Sequence, residues 1–286
     1  MKTLYVTDLD GTLLNKEDRI SQESIRIINR LIDQGMLFTY ATARSLVSAS
    51  VVTDGLAVSM PVIVYNGAFI MYPGTGEILS SHIFTEEEAD FIKKTIEDTQ
   101  ISPLVYSFVK NEEKVSWNIR CENEGIKRYL SRRTVDRRLR PLDGSEGLYD
   151  GNIFYFTCIG EKEELMPLYN ILSEDSRFRC TIQQELYRPE YWCEIMSCRA
   201  TKAEAVKTLK RMWNCDRIIS FGDAINDIPM FKLSDECYAV ENGVQELKEA
   251  ATGIIPGNER DGVAKWLLEN VKPWDLRRVQ CRGDGK

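Results

Sequence analysis

Histidine is almost missing: the 286-residue chain carries one, His82. Ser-His-Asp hydrolysis, a His-paired cysteine and a His-rich zinc or iron centre would all have to pass through that residue, so histidine does not run the chemistry. Nor do the cysteines offer a C-x-x-C pair. Cys121, Cys158, Cys180, Cys193, Cys198, Cys215, Cys237 and Cys281 stand mostly in apolar or mixed segments, where a reduced thiol packs as a small hydrophobe. No run approaches the ~20 apolar residues of a membrane helix. The opening MKTLYVTDLDGTLL is broken by two aspartates and lacks the core and cleavage site of a signal peptide. Basic charge is in deficit too, 37 Lys and Arg against 44 Asp and Glu. That balance removes the global electrostatic case for nucleic acid or an anionic membrane. The expectation is a soluble protein of a reducing cytoplasm, monomer or homodimer, with no nucleic-acid or membrane partner.

What is present is an ordinary globular mixture, 43% hydrophobic and 28% charged, long enough for about two domains at roughly 150 residues each. Lys2–Thr7 reads as a short strand that ends in DLDGT. Ile20–Leu31 has helical spacing, with Ser21 as N-cap, an Ile20–Ile25 staple and Gly35 beyond its end. Met36–Ala41 and Pro61–Tyr65 are apolar runs of the length expected for strands buried on both faces. This alternation predicts a parallel sheet with right-handed crossovers. The middle differs. A T-x-x-E box at Thr85 opens a helix to about Glu97, and candidate strands follow at Leu104–Val109, Val115–Ile119, Asn152–Ile159, Phe178–Ile182 and Tyr191–Met196. Helical stretches fall at Glu122–Leu130 and Glu161–Leu172, which together suggest an α+β unit with an antiparallel sheet. From Arg199 the buried-strand alternation returns, notably at Arg217–Phe221. The predicted architecture is a Rossmann-like parallel α/β core, residues 1–84 and 197–286, interrupted by an α+β domain at 85–196.

Asp8 and Asp10 follow the first strand two residues apart, so continued strand geometry would put both carboxylates on one face and Leu9 in the core. Two such carboxylates repel unless a cation lies between them or one is protonated, and a hard divalent ion with oxygen ligands resolves the conflict. A solvated D-G turn is the plain alternative. A second cluster, GDAINDIPMF, places Asp223 at the end of the strand Arg217–Phe221 and Asn226 and Asp227 at the next helix start. In open α/β sheets the carboxyl ends of the strands are where ligands bind. Lys202 stands in the first turn of a helix opened by the T-x-x-E of Thr201 and Glu204, where its charge opposes the macrodipole. Such a lysine either bends into solvent or faces carboxylates or phosphate, and on this basis its removal is not expected to destabilise the fold. Thr42 and Arg44 in ATARS and Asn66-Gly67 in YNGA also follow apolar strands and converge on the same sheet edge.

The ordered set DLDGTLL (8–14), ATAR (41–44), YNGA (65–68), Lys202 and GDAINDIPMF (222–231) resembles the haloacid dehalogenase (HAD) superfamily, and within it the Cof-type phosphatases. AVENGVQELKEAATGII and NERDGVAKWL resemble the same subfamily, whereas the inserted domain matches only in size and style. The resemblance implies a HAD core with an α+β cap and an Mg²⁺-dependent phosphomonoester hydrolase acting on small phosphorylated metabolites, sugar phosphates in particular. It implies Asp8 as nucleophile forming an aspartyl-phosphate, and Asp10 as the group that protonates the leaving oxygen and then activates water. Thr42 and Lys202 would hold phosphoryl oxygens, with Arg44, Asn66, Gly67 and Asn226 among the substrate contacts. Mg²⁺ would be held by Asp8, the Asp10 carbonyl and Asp223, supported by Asn226 and Asp227. Two positions depart from the family pattern, Ala43 and Ala203, where glycine is usual.

Two other functions use the same residues: a phosphomutase or phosphotransferase, and a phosphate-binding regulator without turnover. The run KRYLSRRTVDRRLR (127–140) carries seven basic side chains and one acid. It is either a solvated face or a source of arginines, Arg132, Arg133, Arg137 or Arg138, that favour a second anionic group on the substrate.

Overall fold

The computed structural model describes residues 1–131, 133, 135–184, 190–273 and 276. They divide into two compact units, Met1–Ser81 with the segment from Thr201, and His82–Ala200. In the first unit the chain runs through β1 (Thr3–Thr7), α1 (Gln22–Asp33), β2 (Leu37–Tyr40), α2 (Leu46–Val52), β3 (Val62–Val64), β4 (Phe69–Met71) and β5 (Ile78–Ser81). The second unit holds α3 (Glu86–Asp98), β6 (Pro103–Val109), β7 (Glu112–Asn118), α4 (Glu124–Ser131), β8 (Leu139–Leu142), β9 (Asn152–Gly160), α5 (Lys162–Glu174), β10 (Phe178–Gln184) and β11 (Tyr191–Ser197). The chain then returns to the first unit with α6 (Lys202–Met212), β12 (Arg217–Gly222), α7 (Ile228–Leu233), β13 (Glu236–Val240), α8 (Gln245–Ala250), β14 (Gly253–Ile255) and α9 (Gly262–Asn270).

The first unit is built on a parallel five-stranded sheet in the order β14-β13-β12-β1-β2. Its strands are apolar because helices cover both faces: Leu4, Val6 and Ile218 join Val206, Leu209 and Met230 in one cluster of buried side chains, and Phe221, on the other face of β12, packs edge-on against Trp266 of α9. Ser21 caps α1 by accepting the Ser24 amide, and Gly35 follows the helix at φ 101°. β3 runs parallel to the main sheet as expected but barely joins it. Among the described residues a single parallel bridge, Ala41 to Ile63, ties it there, and its other edge pairs antiparallel with β4, which in turn pairs with β5. The chain doubles back at Tyr65–Gly67 before β3 has grown beyond three residues.

The second unit is a six-stranded sheet, β10-β11-β9-β6-β7-β8, antiparallel except that β7 and β8 run parallel. Phe156, Cys158, Cys193 and Ile195 on one face pack with Ile92 and Ile96 of α3 and Leu165, Leu168 and Leu172 of α5. The reciprocal capping box at Thr85 and Glu88 opens α3. β8 has no strand signal in sequence, because Pro141 and flanking arginines interrupt it. The seven cysteines among the described residues are free thiols, and Cys281 lies outside them. No helix among the described residues is long and apolar enough to cross a membrane.

Candidate active site

The β1 ladder closes with the Asp8 amide donating to the Phe221 carbonyl at 3.0 Å. The chain then wraps around Leu9, whose carbonyl accepts the amides of Thr12, Leu13 and Leu14. Strand geometry therefore stops before Asp10, and the two aspartates do not form the chelating pair that i, i+2 spacing suggests. Asp8 is buried and Asp10 exposed. Gly11 makes the turn at φ 76°, and a Cβ there would overlap the Asp223 carboxylate. Asp223, just past β12, accepts a hydrogen bond from Thr12 Oγ1 at 3.2 Å.

Lys202 lies at the centre. Its ammonium donates to Asp8 Oδ1 at 2.5 Å and to Asp227 Oδ1 at 2.7 Å, and the side chain is 1% exposed. The solvated alternative for this residue is excluded. Thr201 caps α6 by accepting the Glu204 amide, which is the half of the capping box that forms. Asp227 is saturated, because its Oδ2 accepts the amides of Asp223 and Ala224 at 3.1 and 3.2 Å. Asp227 therefore ties the lysine to the turn after β12, while the carboxylates of Asp8 and Asp223 keep more of their donor capacity.

Thr42 is fully buried at the end of β2, and its hydroxyl accepts the Arg44 amide at 3.1 Å. Beyond β3, Tyr65, Asn66 and Gly67 take φ values of 50°, 54° and 101° in succession. Left-handed backbone at a tyrosine is strained and survives only where surroundings fix it. Here the Tyr65 amide donates to the Arg44 carbonyl at 2.9 Å and the Asn66 amide to the Thr42 carbonyl at 2.8 Å. On the other side Gly67 lies so close to α6 that a Cβ would overlap the Thr201 carbonyl. Asn226 Nδ2 donates to Asn66 Oδ1 at 3.3 Å. The turn thus joins the loop after β2 to the Lys202 helix and the loop after β12. Ala43 is exposed and Ala203 half-buried, so the fold accommodates both alanines.

Two residues of the site escape the sequence reasoning. Thr12, inside DLDGT itself, could have been found from that motif. Asn242 lies inside the segment AVENGVQELKEAATGII, but nothing local there signals its contact: its Nδ2 donates to the Gly11 carbonyl at 2.7 Å across 231 positions. In the basic run 127–140, two of the four candidate arginines have partners inside the second unit. Arg138 pairs with Asp136 and Glu113, and Arg133 stacks 3.7 Å over Tyr129. Arg137 is exposed, and Arg132 lies outside the described residues.

Carboxylate oxygens of Asp8, Asp223 and Asp227 lie within 4.8 Å of one another. These three acids face one ammonium, so two negative charges remain uncompensated when all are ionised. Hard oxygen donors with that deficit fit a hard divalent cation, and Asp8 and Asp223 are the carboxylates best placed to hold it. Burial, the largest influence, pushes the Asp8 carboxyl upward against the pull of Lys202. Burial and then Asp227 push Asp223 up to about 6.

Residues 5–267 match the haloacid dehalogenase-like hydrolases, and the chain belongs to that family. The 5-amino-6-(5-phospho-D-ribitylamino)uracil phosphatase YwtE of Bacillus subtilis is 27% identical, over 93% of this chain and 97% of its own. A second Bacillus subtilis phosphatase of that name, YitU, is 26% identical over 93% and 96%. The crystal structure of TM0651 from Thermotoga maritima is 28% identical with a TM-score of 0.77, covering 95% of this chain and 98% of that one. The chain is a HAD-superfamily phosphatase.

Two outcomes follow from these geometries. Replacing Lys202 by Met leaves two buried carboxylates without their counter-charge, so the sequence expectation of unchanged stability is reversed. Lys202→Met is expected to cost about 3–5 kcal/mol in denaturant unfolding at pH 7. An unaltered midpoint would contradict the buried pairing. The second outcome concerns pH in metal-free protein. A carboxyl raised in the fold stabilises below its ordinary value of 3.8, and that contribution is lost as pH rises through its folded value, about 6 for Asp223. Against Asp223→Asn in EDTA, the wild type should lose melting temperature progressively from pH 4 to pH 7. A difference that is flat with pH would contradict the raised carboxyl.

Proposed function

We propose that the protein is an Mg²⁺-dependent phosphomonoesterase of the Cof type, acting on small phosphorylated metabolites, sugar phosphates among them, through an aspartyl-phosphate on Asp8. One observation carries this reading: a buried carboxylate, Asp8, held on a buried ammonium at the carboxyl ends of two adjacent parallel strands, with Asp223 within reach. Lys202 takes Asp8 Oδ1, which leaves Oδ2 to attack phosphorus. Two of its three N–H donors serve Asp8 and Asp227, and the third is available to a phosphoryl oxygen. The Thr42 hydroxyl can donate to another.

As Asp8 forms its bond to phosphorus, the bond to the leaving oxygen breaks, and that oxygen takes the bonding electron pair and a proton from Asp10. Water then attacks the aspartyl-phosphate and gives its proton to Asp10, which releases inorganic phosphate and restores Asp8. An anionic nucleophile must approach an anionic phosphate, and Lys202 offsets part of that repulsion. Bound by the Asp8 and Asp223 carboxylates and the Asp10 carbonyl, Mg²⁺ would offset charge on the transferring group. The name of the Bacillus subtilis relatives, a phosphorylated ribityl compound, supports a polyol or sugar phosphate as the substrate class.

The test is phosphate release from p-nitrophenyl phosphate with and without Mg²⁺, followed by a panel of phosphorylated metabolites. Asp8→Asn should abolish turnover. It should leave the melting temperature equal or higher, since it removes a charge that burial disfavours. Near-wild-type release by this variant would overturn the assignment.

A further inference from the structure

Arg44 belongs by motif among the substrate contacts, yet its guanidinium is turned elsewhere. Nε lies 3.0 Å from each of the two Asp10 carboxylate oxygens, and Nη2 donates to Asp10 Oδ1 at 2.5 Å. Nη2 also reaches Asp18 Oδ1 at 3.2 Å, and Nη1 reaches Ser48 Oγ at 3.4 Å. All three nitrogens are therefore engaged within this unit. The Arg44 side chain is 20% exposed, whereas that of Asp10 is 46% exposed.

The two partners are not equally fixed. Arg44 is held at both ends of its peptide unit, its amide by Thr42 Oγ1 and its carbonyl by the Tyr65 amide. Asp18, behind it, sits in a tight turn closed by the Asn15 amide on the Arg19 carbonyl, and Asn15 Oδ1 accepts the amides of Glu17 and Arg19. Asp10 stands in the turn beyond the last β1 rung with a half-exposed side chain. A partly exposed ion pair contributes little stability. A guanidinium fork on a carboxylate does fix its plane and position.

We propose that Arg44 is a positioning residue for Asp10, buttressed by Asp18 and Ser48, and not a grip on the phosphoryl group. This inference rests on the reading of Asp10 as the group that protonates the leaving oxygen. The arrangement sets where that carboxyl stands relative to Asp8. Its loss should therefore fall on the step in which the leaving group departs. Misplacing a catalytic group by about 1 Å costs on the order of a hundredfold in rate.

Leaving groups separate the possibilities. The p-nitrophenolate ion departs without a proton, whereas the alkoxide of 2-glycerol phosphate requires one. Because kcat/KM covers the steps through release of the leaving group, the ratio of its values for the two substrates reports the acid alone. In Mg²⁺ buffer, Arg44→Gln should lower kcat/KM for glycerol phosphate roughly 10–100-fold, and for p-nitrophenyl phosphate by less than about threefold. Arg44→Lys should recover part of the ratio. Asp18→Asn, which touches no reacting group, should move it the same way by less. Equal losses on both substrates through KM would overturn the proposal in favour of a phosphoryl grip. An unmoved ratio in both Arg44→Gln and Asp18→Asn would reduce the cluster to a surface ion pair. Asp10→Asn distinguishes the two levels of failure. If it leaves the ratio unchanged, the acid assignment itself falls and this proposal with it. If it collapses the ratio while the Arg44 and Asp18 variants do not, only the proposal falls.

Discussion

The structure of the site depends on one buried ammonium. Lys202 sits in the first turn of a helix, where the macrodipole disfavours it, and 1% of its side chain meets water. Desolvating an ammonium costs several kcal/mol, and only well-placed carboxylates offset that. Asp8 and Asp227 supply them from loops that follow two neighbouring strands. The pairing draws together three segments that are remote in sequence and explains the crowding around them. Gly11 is pressed against Asp223, and Gly67 against the start of the lysine helix. The same charges that hold the loops are those the proposed chemistry uses.

The sheet provides the meeting point. From β1 the chain builds outward to β2 in one direction, and after the inserted unit β12, β13 and β14 build outward in the other. β1 and β12 are therefore adjacent although more than two hundred residues separate them, with Thr3 opposite Arg217. Strand order reverses between the loops that leave β1 and β12, the position at which open α/β sheets bind ligands. Asp8 and Asp223 stand on those two loops. An insertion as long as His82–Ala200 leaves this geometry intact because it enters after β5, off the main sheet.

Much of this architecture is legible in the amino-acid sequence. Continuous apolar runs mark β1, β2 and β12 because strands buried on both faces need no alternation, and the caps at Ser21 and Thr85 form as their spacing predicts. The family, and with it the parallel core, follows from the order of the short motifs. The parts that are not legible are those decided at long range. Strand periodicity puts Asp8 and Asp10 on one face, but the ladder ends at Thr7, a fact set by pairing with β12 and not by local sequence. Macrodipole reasoning treats Lys202 as an isolated cation, and its two partners lie 194 and 25 residues away. β8 is strand only because β7 offers it an edge. Arginine density between 127 and 140 resembles a ligand surface, although local acids and Tyr129 take up Arg133 and Arg138.

The acids of the site thus divide by the company they keep. Asp227 has both oxygens occupied by donors and serves as a strut. Asp8 has one oxygen on the lysine, and burial raises its affinity for a proton. In water-poor surroundings a carboxylate that resists ionisation is also a stronger base and a better nucleophile once ionised. A lysine and a divalent cation can hold it ionised without taking both of its oxygens. Asp223 is drawn upward by burial and then by Asp227, so a cation bound beside it would relieve two unfavourable charges at once. On the proposed function, the instability of the uncompensated cluster would be a source of metal affinity, because a bound cation would restore to the fold what the excess negative charge removes.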